Sequence, residues 1–423
     1  GGTFDVLKRN KVEIARRAGR EINVKMIADR DLDKARTLAG DDVIVTEDGY
    51  SVVNSPDIDI VVELIGGSTI AKDLILKAIE NGKHVVTANK ALLAKHGTEI
   101  FTAARERGVV VAFEAAVEGG ISIIKALREG LTANRIEWIA GIINGTANFI
   151  LSEMRDKGLA FETVLDEAQK LGYAEADPTF DIEGIDAAHK ITLMAAIAFG
   201  VPVQFDKIYA EGITQLTGDD IRYAEELGYR IKLLGITKRV EKGIELRVHP
   251  TLIPAQQLLS SVEGVMNAVV VKSDAVGTTL YYGAGAGAEP TASAVIADLV
   301  DVARVQTADP MHRVPPLAFQ FDALSDTPII SMDEVEPSYY LRLHVVDKPG
   351  VLADISRLLA NSDISINAMV QKEPGADEDM VDIIILTHVT VEKNINAAIA
   401  SIEALPVVDG KIIRIRLEEL SNS

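Results

Sequence analysis

The 423-residue chain contains no cysteine. Disulfides, thiolate metal ligands and cysteine nucleophiles are thereby excluded, and so is oxidation of an aldehyde through an enzyme-bound thiohemiacetal. Basic charge is also scarce: 63 acidic residues stand against 43 basic ones, a formal net charge of −20. Such a balance repels nucleic acid and anionic membrane surfaces, so neither is expected as a partner. No run of 18 or more uncharged apolar residues occurs, and the N-terminus is not a charged segment leading into an apolar one. A cytoplasmic location is expected. The seven histidines form no HExxH or comparable cluster, which argues against a catalytic zinc. What the chain does have is apolar content, at 48%, enough for substantial cores, and its length predicts two or three domains.

Through about residue 113, short β-branched runs alternate with helical stretches, as in parallel βαβ units. The runs are 22–28, 43–45, 58–64, 84–87 and 109–113. Their nearly continuous apolar character predicts strands covered by helices on both faces, a Rossmann-like doubly wound parallel sheet. The chain opens at Gly1-Gly2 and runs directly into a helical pattern, so a first strand and most of a glycine-rich turn are expected upstream. Gly1 and Gly2 are then either the remnant of a pyrophosphate-binding turn or a flexible start. Asp29 closes the second run where an acidic residue would bind the adenosine ribose, and Arg30 beside it could instead pair with a 2′-phosphate. A plain strand-end turn explains Asp29 equally well.

From 136 to 282 the pattern changes to helices at 161–171, 185–199 and 219–235, then strands near 244–253, 268–272 and 276–282. The expectation is an α+β substrate-binding and dimerisation domain over 134–289. A dinucleotide-binding domain is expected over 1–133, rejoined by 290–320 through a helix near 290–304. Residues 321–337 are polar, with Pro328 and Pro337, and read as a linker. The last segment, 338–423, has strands at 339–346, 365–373, 381–388 and 412–419 and helices at 350–361 and 392–404. This βαββαβ order predicts a ferredoxin-like fold.

The segment from Leu171 to Lys190 is the most informative. Glu175, Asp177, Asp181 and Glu183 lie in a loop broken by Pro178 and Gly184. Asp186 and Lys190 then sit four apart on one face of a helix whose remainder is apolar nearly all round. A lysine at the entry to such a helix is expensive unless paired or functional, although a surface i,i+4 ion pair has the same spacing. His189 beside it reads as a packed or capping residue. Lys90 follows a strand at its carboxyl edge, where open α/β sheets bind ligands. Asn89 before it could be purely a helix cap and Lys90 a solvated first-turn residue. Three glycine-containing turns, 63–68, 144–148 and 283–290, could each present free backbone amides to a ligand, or could simply be tight turns.

The segments VVTANKALLA, FEAAVEGGISII, INGTANFIL, LGYAEADPTFDIEGIDAAHKI and YYGAGAGAEPTASAVIADL resemble homoserine dehydrogenases, in order and spacing, over about residues 1–320. The resemblance implies NAD(P)-dependent interconversion of L-homoserine and L-aspartate 4-semialdehyde. Lys190 resembles the catalytic lysine that handles the hydroxyl proton, and Lys90 a second lysine near the nicotinamide. Glu175 and Asp186 match the carboxylates that hold the substrate ammonium, with Asp181 and Tyr173 lining the pocket. Gly66, Asn89, Gly172, Gly285 and Gly287 fall where the family touches NADP or NAD. Backbone carbonyls around Glu114, Val117, Gly119 and Ile121 resemble its monovalent-cation site, usually sodium. The chain departs from the pattern at its start, where the dinucleotide fingerprint is absent. Residues 345–352 and 362–365 resemble an ACT domain, which implies threonine as an effector, and the family implies a homodimer or homotetramer. A lysine moves protons near neutral pH when burial or a second cation acts on it, and Lys90 near Lys190 would supply that cation. A second reading, a non-catalytic nucleotide and amino-acid sensor, is favoured by the missing glycines and opposed by the carboxylate and lysine constellation.

Overall fold

The β-branched runs of the first third pair as parallel strands in two pieces. In a computed structural model that describes residues 1–40, 42–372 and 379–420, Ile60–Glu63, His84–Thr87 and Val111–Ala112 form one parallel sheet in that order. Met26–Ala28 pairs in parallel with Ile44–Thr46. The run expected at 22–28 is thus a strand only over its last three residues. Ile22 and Val24 spend their apolar side chains on the core instead.

By its internal contacts the chain divides into two units. The first comprises Gly1–Ile139, Ala188–Ile208 and Met266–Thr327. Here the late helix Ala288–Val305 packs on the N-terminal helices Gly2–Arg9 and Lys11–Ala18. Val295 and Leu299 meet Val6, Leu7 and Ile14 there, with Val86 and Ala112 of the parallel sheet in the same core. The antiparallel hairpin Met266–Ser273 with Gly277–Ala284 also belongs to this unit.

The second unit comprises Ala140–Ala187, Tyr209–Val265 and Pro328–Ser423. The helix expected over 219–235 is helical only over Gly218–Glu226, and 229–240 is a strand. A capping box of Thr217 and Asp220 starts the helix, and Gly228, at φ 83°, interrupts the chain just after it. The following Ile231-Lys-Leu-Leu-Gly-Ile236 suits a buried helix or a buried strand equally by period. Full antiparallel pairing with Gly243–Pro254 decides for the strand.

The C-terminal elements are Ser338–Val346, Val351–Asn361, Ile366–Gln371, Met380–Thr387, Glu392–Glu403 and Val408–Leu417, the expected βαββαβ order. The first strand lies centrally between the last and the third, with the second at the edge, all antiparallel. Alternate residues of the first strand, Tyr339, Leu341, Leu343 and Val345, point to one face, where Ile355, Leu359, Ile395 and Ile402 of the helices cover them. Glu373, the last residue of the strand expected at 365–373, lies outside the described residues. Val408–Leu417 continues the sheet by pairing in parallel with Gly243–Pro254 through Arg416 and Leu417. Arg416, fully buried, grips the Glu392 carboxylate at 2.6 and 2.9 Å, Glu211 at 2.9 Å and the Tyr209 hydroxyl at 3.1 Å. The segment expected as a linker holds short 3₁₀ turns at Phe321–Ala323 and Met332–Glu334, and Ile329 bridges to Ile244. Among the described residues, no helix is long and apolar enough to cross a membrane.

Candidate functional site

At the carboxyl ends of the parallel strands, Glu63 organises the turn that follows it. Its Oε1 accepts from the amides of Ile65 (2.8 Å) and Gly66 (3.0 Å), and its Oε2 accepts from the Thr87 hydroxyl at 2.7 Å. Two amides expected to be free for a ligand are therefore engaged by the loop's own carboxylate. Asn89 is the helix cap considered for it and also ties down the neighbouring glycine turn. Its Oδ1 accepts from Leu92 N, capping the helix Lys90–Arg107, while its Nδ2 donates to the Gly67 carbonyl at 2.7 Å. Lys90 is the first residue of that helix. Gly66 and Gly67 both have φ near +74°, and a Cβ at either would meet nothing within 4 Å. The turn is thus held in a conformation that suits glycine, with an open face, and its geometry fits the close approach of a dinucleotide. Asp29 makes a strand-end turn, its Oδ1 accepting from Asp31 N at 2.9 Å, and Arg30 is exposed beside it.

Two glycine-rich turns meet in the same unit. Gly120 N donates to the Ala284 carbonyl at 2.9 Å, and a Cβ on Gly120 would stand 2.5 Å from that oxygen. A Cβ on Gly285 would stand 1.9 Å from Asn267 Nδ2, and one on Gly119 would crowd Thr291 and Gly285. Close packing thus demands glycine at Gly285 whatever binds there. Gly2, whose Cβ would meet the Ala288 carbonyl at 2.7 Å, lies against the start of the helix capped by Gly287.

The segment proposed to hold a cation is busy with its own chain. Glu114 accepts from the amides of Ile124 (3.0 Å) and Lys125 (2.8 Å), and its own amide donates to Asp298 at 2.7 Å. Burial first, and then the Asp298 charge, push Glu114 up to about 7. Burial likewise raises Asp298 to about 6. The Glu114 carbonyl accepts from Val117 N at 3.3 Å and the Ile121 carbonyl from Ile123 N at 2.7 Å, so a cation there would use the second lone pair of each.

Lys190 is 7% exposed on the helix Ile185–Phe199. Its Nζ lies 2.9 Å from Glu118 Oε1, a carboxylate that sequence reasoning passed over. Glu118 has φ 55°, a left-handed conformation that costs on the order of 1–3 kcal/mol for a non-glycine residue. A non-glycine residue between Val117 and Gly119, itself beside glycines, is the one local signal of it. His189 packs, as expected, with its ring stacked on Phe205 at 4.3 Å.

In the second unit a carboxylate group is assembled around Asn144. Its Nδ2 donates to Asp181 Oδ1 at 2.7 Å and to Asp186 Oδ2 at 3.0 Å, while its Oδ1 accepts from Ala147 N and caps the helix Gly145–Lys157. Thr146 donates from its hydroxyl to the Tyr173 carbonyl at 2.7 Å. The Tyr173 ring meets Phe149 edge-on at 5.1 Å and leaves 44% of the residue exposed. Glu175 is exposed, its carbonyl accepting from Gln169. Gly172, at φ 75°, follows the helix Phe161–Lys170 and is exposed. Asp181 and Asp186 are thus brought together by a residue singled out in the sequence only as part of a turn. Asp186 and Lys190 stand one turn apart on their shared helix, each with a partner from a different segment.

Three family models match the chain. Residues 1–114 match the NAD-binding domain of homoserine dehydrogenase, residues 123–300 homoserine dehydrogenase, and residues 339–407 the ACT domain. A homoserine dehydrogenase of Pseudomonas aeruginosa is 62% identical over 422 residues, covering 100% of this chain and 96% of the relative. The crystal structure of a homoserine dehydrogenase from Thiobacillus denitrificans superposes with a TM-score of 0.95 at 69% identity, covering 100% of this chain and 96% of that one. A hyperthermophilic archaeal homoserine dehydrogenase in complex with NADPH superposes with a TM-score of 0.62 at 26% identity, over 73% of this chain and 95% of that one.

Proposed function

The chain belongs to the homoserine dehydrogenase family of NAD(P)-dependent oxidoreductases, and on that premise we propose that Lys190 carries the proton in the interconversion of L-homoserine and L-aspartate 4-semialdehyde. The nicotinamide, when bound, supplies or accepts the hydride. In the reductive direction Lys190 Nζ gives a proton to the aldehyde oxygen, and in the oxidative direction it takes the proton from the hydroxyl. Glu175 and Asp186 hold the substrate ammonium, Asp181 and Tyr173 line the pocket, and the bridge from Asn144 fixes Asp181 and Asp186 in advance. Lys90 stands beside the nicotinamide at the carboxyl edge of the parallel sheet. The observation that carries this reading is a buried ammonium one helical turn beyond a buried carboxylate, costly in any structure that does not use it. Lys190→Ala is expected to lower turnover on the order of 10²- to 10⁴-fold with cofactor affinity nearly unchanged. A fully active variant refutes the assignment.

The cofactor reading extends to Gly1, Gly2, Asp29, Arg30, Gly66, Asn89, Gly172, Gly285 and Gly287 as residues that touch NADP or NAD. It is supported by the glycine conformations described above and by the NADPH held by the archaeal relative. Carbonyls of Glu114, Val117, Gly119 and Ile121 are proposed to take sodium, and the assembly is proposed to be a cytoplasmic homodimer or homotetramer. Threonine is proposed to bind the C-terminal domain at the turn 345–352, supported by the match to the ACT model. Asp347 lies in that turn and accepts from Gln371 at 3.2 Å. Titrating activity with threonine in the parent and in Asp347→Ala tests this. Weaker inhibition with unaltered basal turnover is expected, and identical threonine responses overturn the assignment.

A further inference from the structure

We propose that Glu118 is the positioning residue for Lys190, clamping the ammonium so that its proton is aimed at the substrate oxygen; this rests on Lys190 being the proton carrier. The side chains of the pair are 8% and 0% exposed, and the contact is 2.9 Å. A buried ion pair is retained against its desolvation cost only where geometry holds both partners. Lysine brings four rotatable bonds and no built-in orientation, so its direction must come from what it is bound to.

Glu118 is itself fixed from three sides. Its second oxygen accepts from Asn267 Nδ2 at 2.5 Å. Asn267 has its place because Gly285 has no side chain, where a Cβ would stand 1.9 Å from that nitrogen. The Glu118 backbone is bent into the left-handed region, with its carbonyl accepting from Ile121 N at 2.5 Å. A strained non-glycine residue that is also buried, charged and clamped is over-determined by its surroundings, which is how sites keep strain that serves a purpose. A glycine at 118 would relieve the strain and lose the partner of Lys190. Three segments distant in sequence, 118–121, 267 and 285, thus converge to fix one carboxylate. The remaining charged groups around these elements have their own arrangements. Asp186 on the Lys190 helix is bonded to Asn144, the His189 ring stacks on Phe205, and Glu114, Asp298 and Lys125 form a separate group.

The test is Glu118→Gln, which keeps size and shape but removes the charge that holds the ammonium. For semialdehyde reduction, kcat is expected to fall roughly 10- to 100-fold, the scale of a misplaced reacting group. KM for the semialdehyde and the Kd for NADPH should stay within about twofold of the parent, because neither ligand loses a contact. The solvent deuterium isotope effect on kcat should grow, since transfer from a loosely held lysine limits turnover more. A purely structural role would move neither the kcat-against-KM split nor the isotope effect in this way. An unaltered kcat and isotope effect in a folded Glu118→Gln protein overturns the inference. Should that variant not accumulate in folded form, Asn267→Ala decides, because it leaves the charge and loosens the clamp. A lower kcat with unaltered KM is expected there, and full kcat overturns the proposal. Lys190→Ala separates the two levels: if it retains full turnover the proton-carrier reading fails, whereas loss there with unaltered Glu118→Gln kinetics sinks only the positioning role.

Discussion

Lys232 offers a stability measurement whose size and sign follow from its surroundings. It is 1% exposed on the strand Tyr229–Val240, and burial lowers it from 10.5 to about 8, against the opposing pull of Glu263 at 3.3 Å. In the unfolded chain the lysine returns to its ordinary value. Between pH 8 and 10.5 the unfolded state therefore binds more protons than the native one, and stability rises with pH across that window. Below pH 8 both states are protonated, and the native fold bears the whole cost of a buried ammonium. The difference between the two values corresponds to about 3 kcal/mol at 1.36 kcal/mol per unit. Lys232→Met removes the titration. Its neighbours keep partners: Val262 O still accepts from Asn148, and Glu263 still holds Arg155 and Ser152. Urea unfolding followed by circular dichroism at pH 7 and at pH 10.5 gives the parent-minus-variant stability at each. The parent is expected to gain about 3 kcal/mol relative to Lys232→Met on going to the higher pH. A stability difference independent of pH would refute the account of Lys232 as a desolvated ammonium.

Two further perturbations follow from the buried polar groups. Arg416→Ala strips the buried Glu392 of its two shortest contacts with Arg416 and empties the place where the C-terminal sheet joins Gly243–Pro254. A loss of about 3–5 kcal/mol is expected in urea unfolding, nearer the lower figure because Arg414 stays 2.8 Å from Glu392; a loss below about 1 kcal/mol contradicts the role of the pair. Asn144→Ala frees Asp181 and Asp186 from their common donor, so steady-state kinetics should show KM for homoserine rising on the order of 10-fold with cofactor KM unaltered. Equal changes in both KM values would mean that Asn144 acts only as a helix cap.

What the sequence determined by itself lay in local pattern and local chemistry. Asp186 and Lys190 were legible because four-residue spacing on an apolar helix is a property of the helix alone. The βαββαβ order of the C-terminal domain was legible because strand and helix periods differ along the chain, and the capping role of Asn89 because a cap is made within three residues. Tertiary structure decided whatever depends on partners far away along the chain. The stretch 229–235 carries an apolar pattern that either a helix or a strand can bury, and only pairing with Gly243–Pro254 made it a strand. Glu63 could not be seen to occupy the amides of its own turn, nor Gly285 to be required by the side chain of Asn267. Glu118 was invisible for the same reason: its partner Lys190 lies 72 positions on and Asn267 149, and no periodicity encodes a contact between segments that meet only when the cores close.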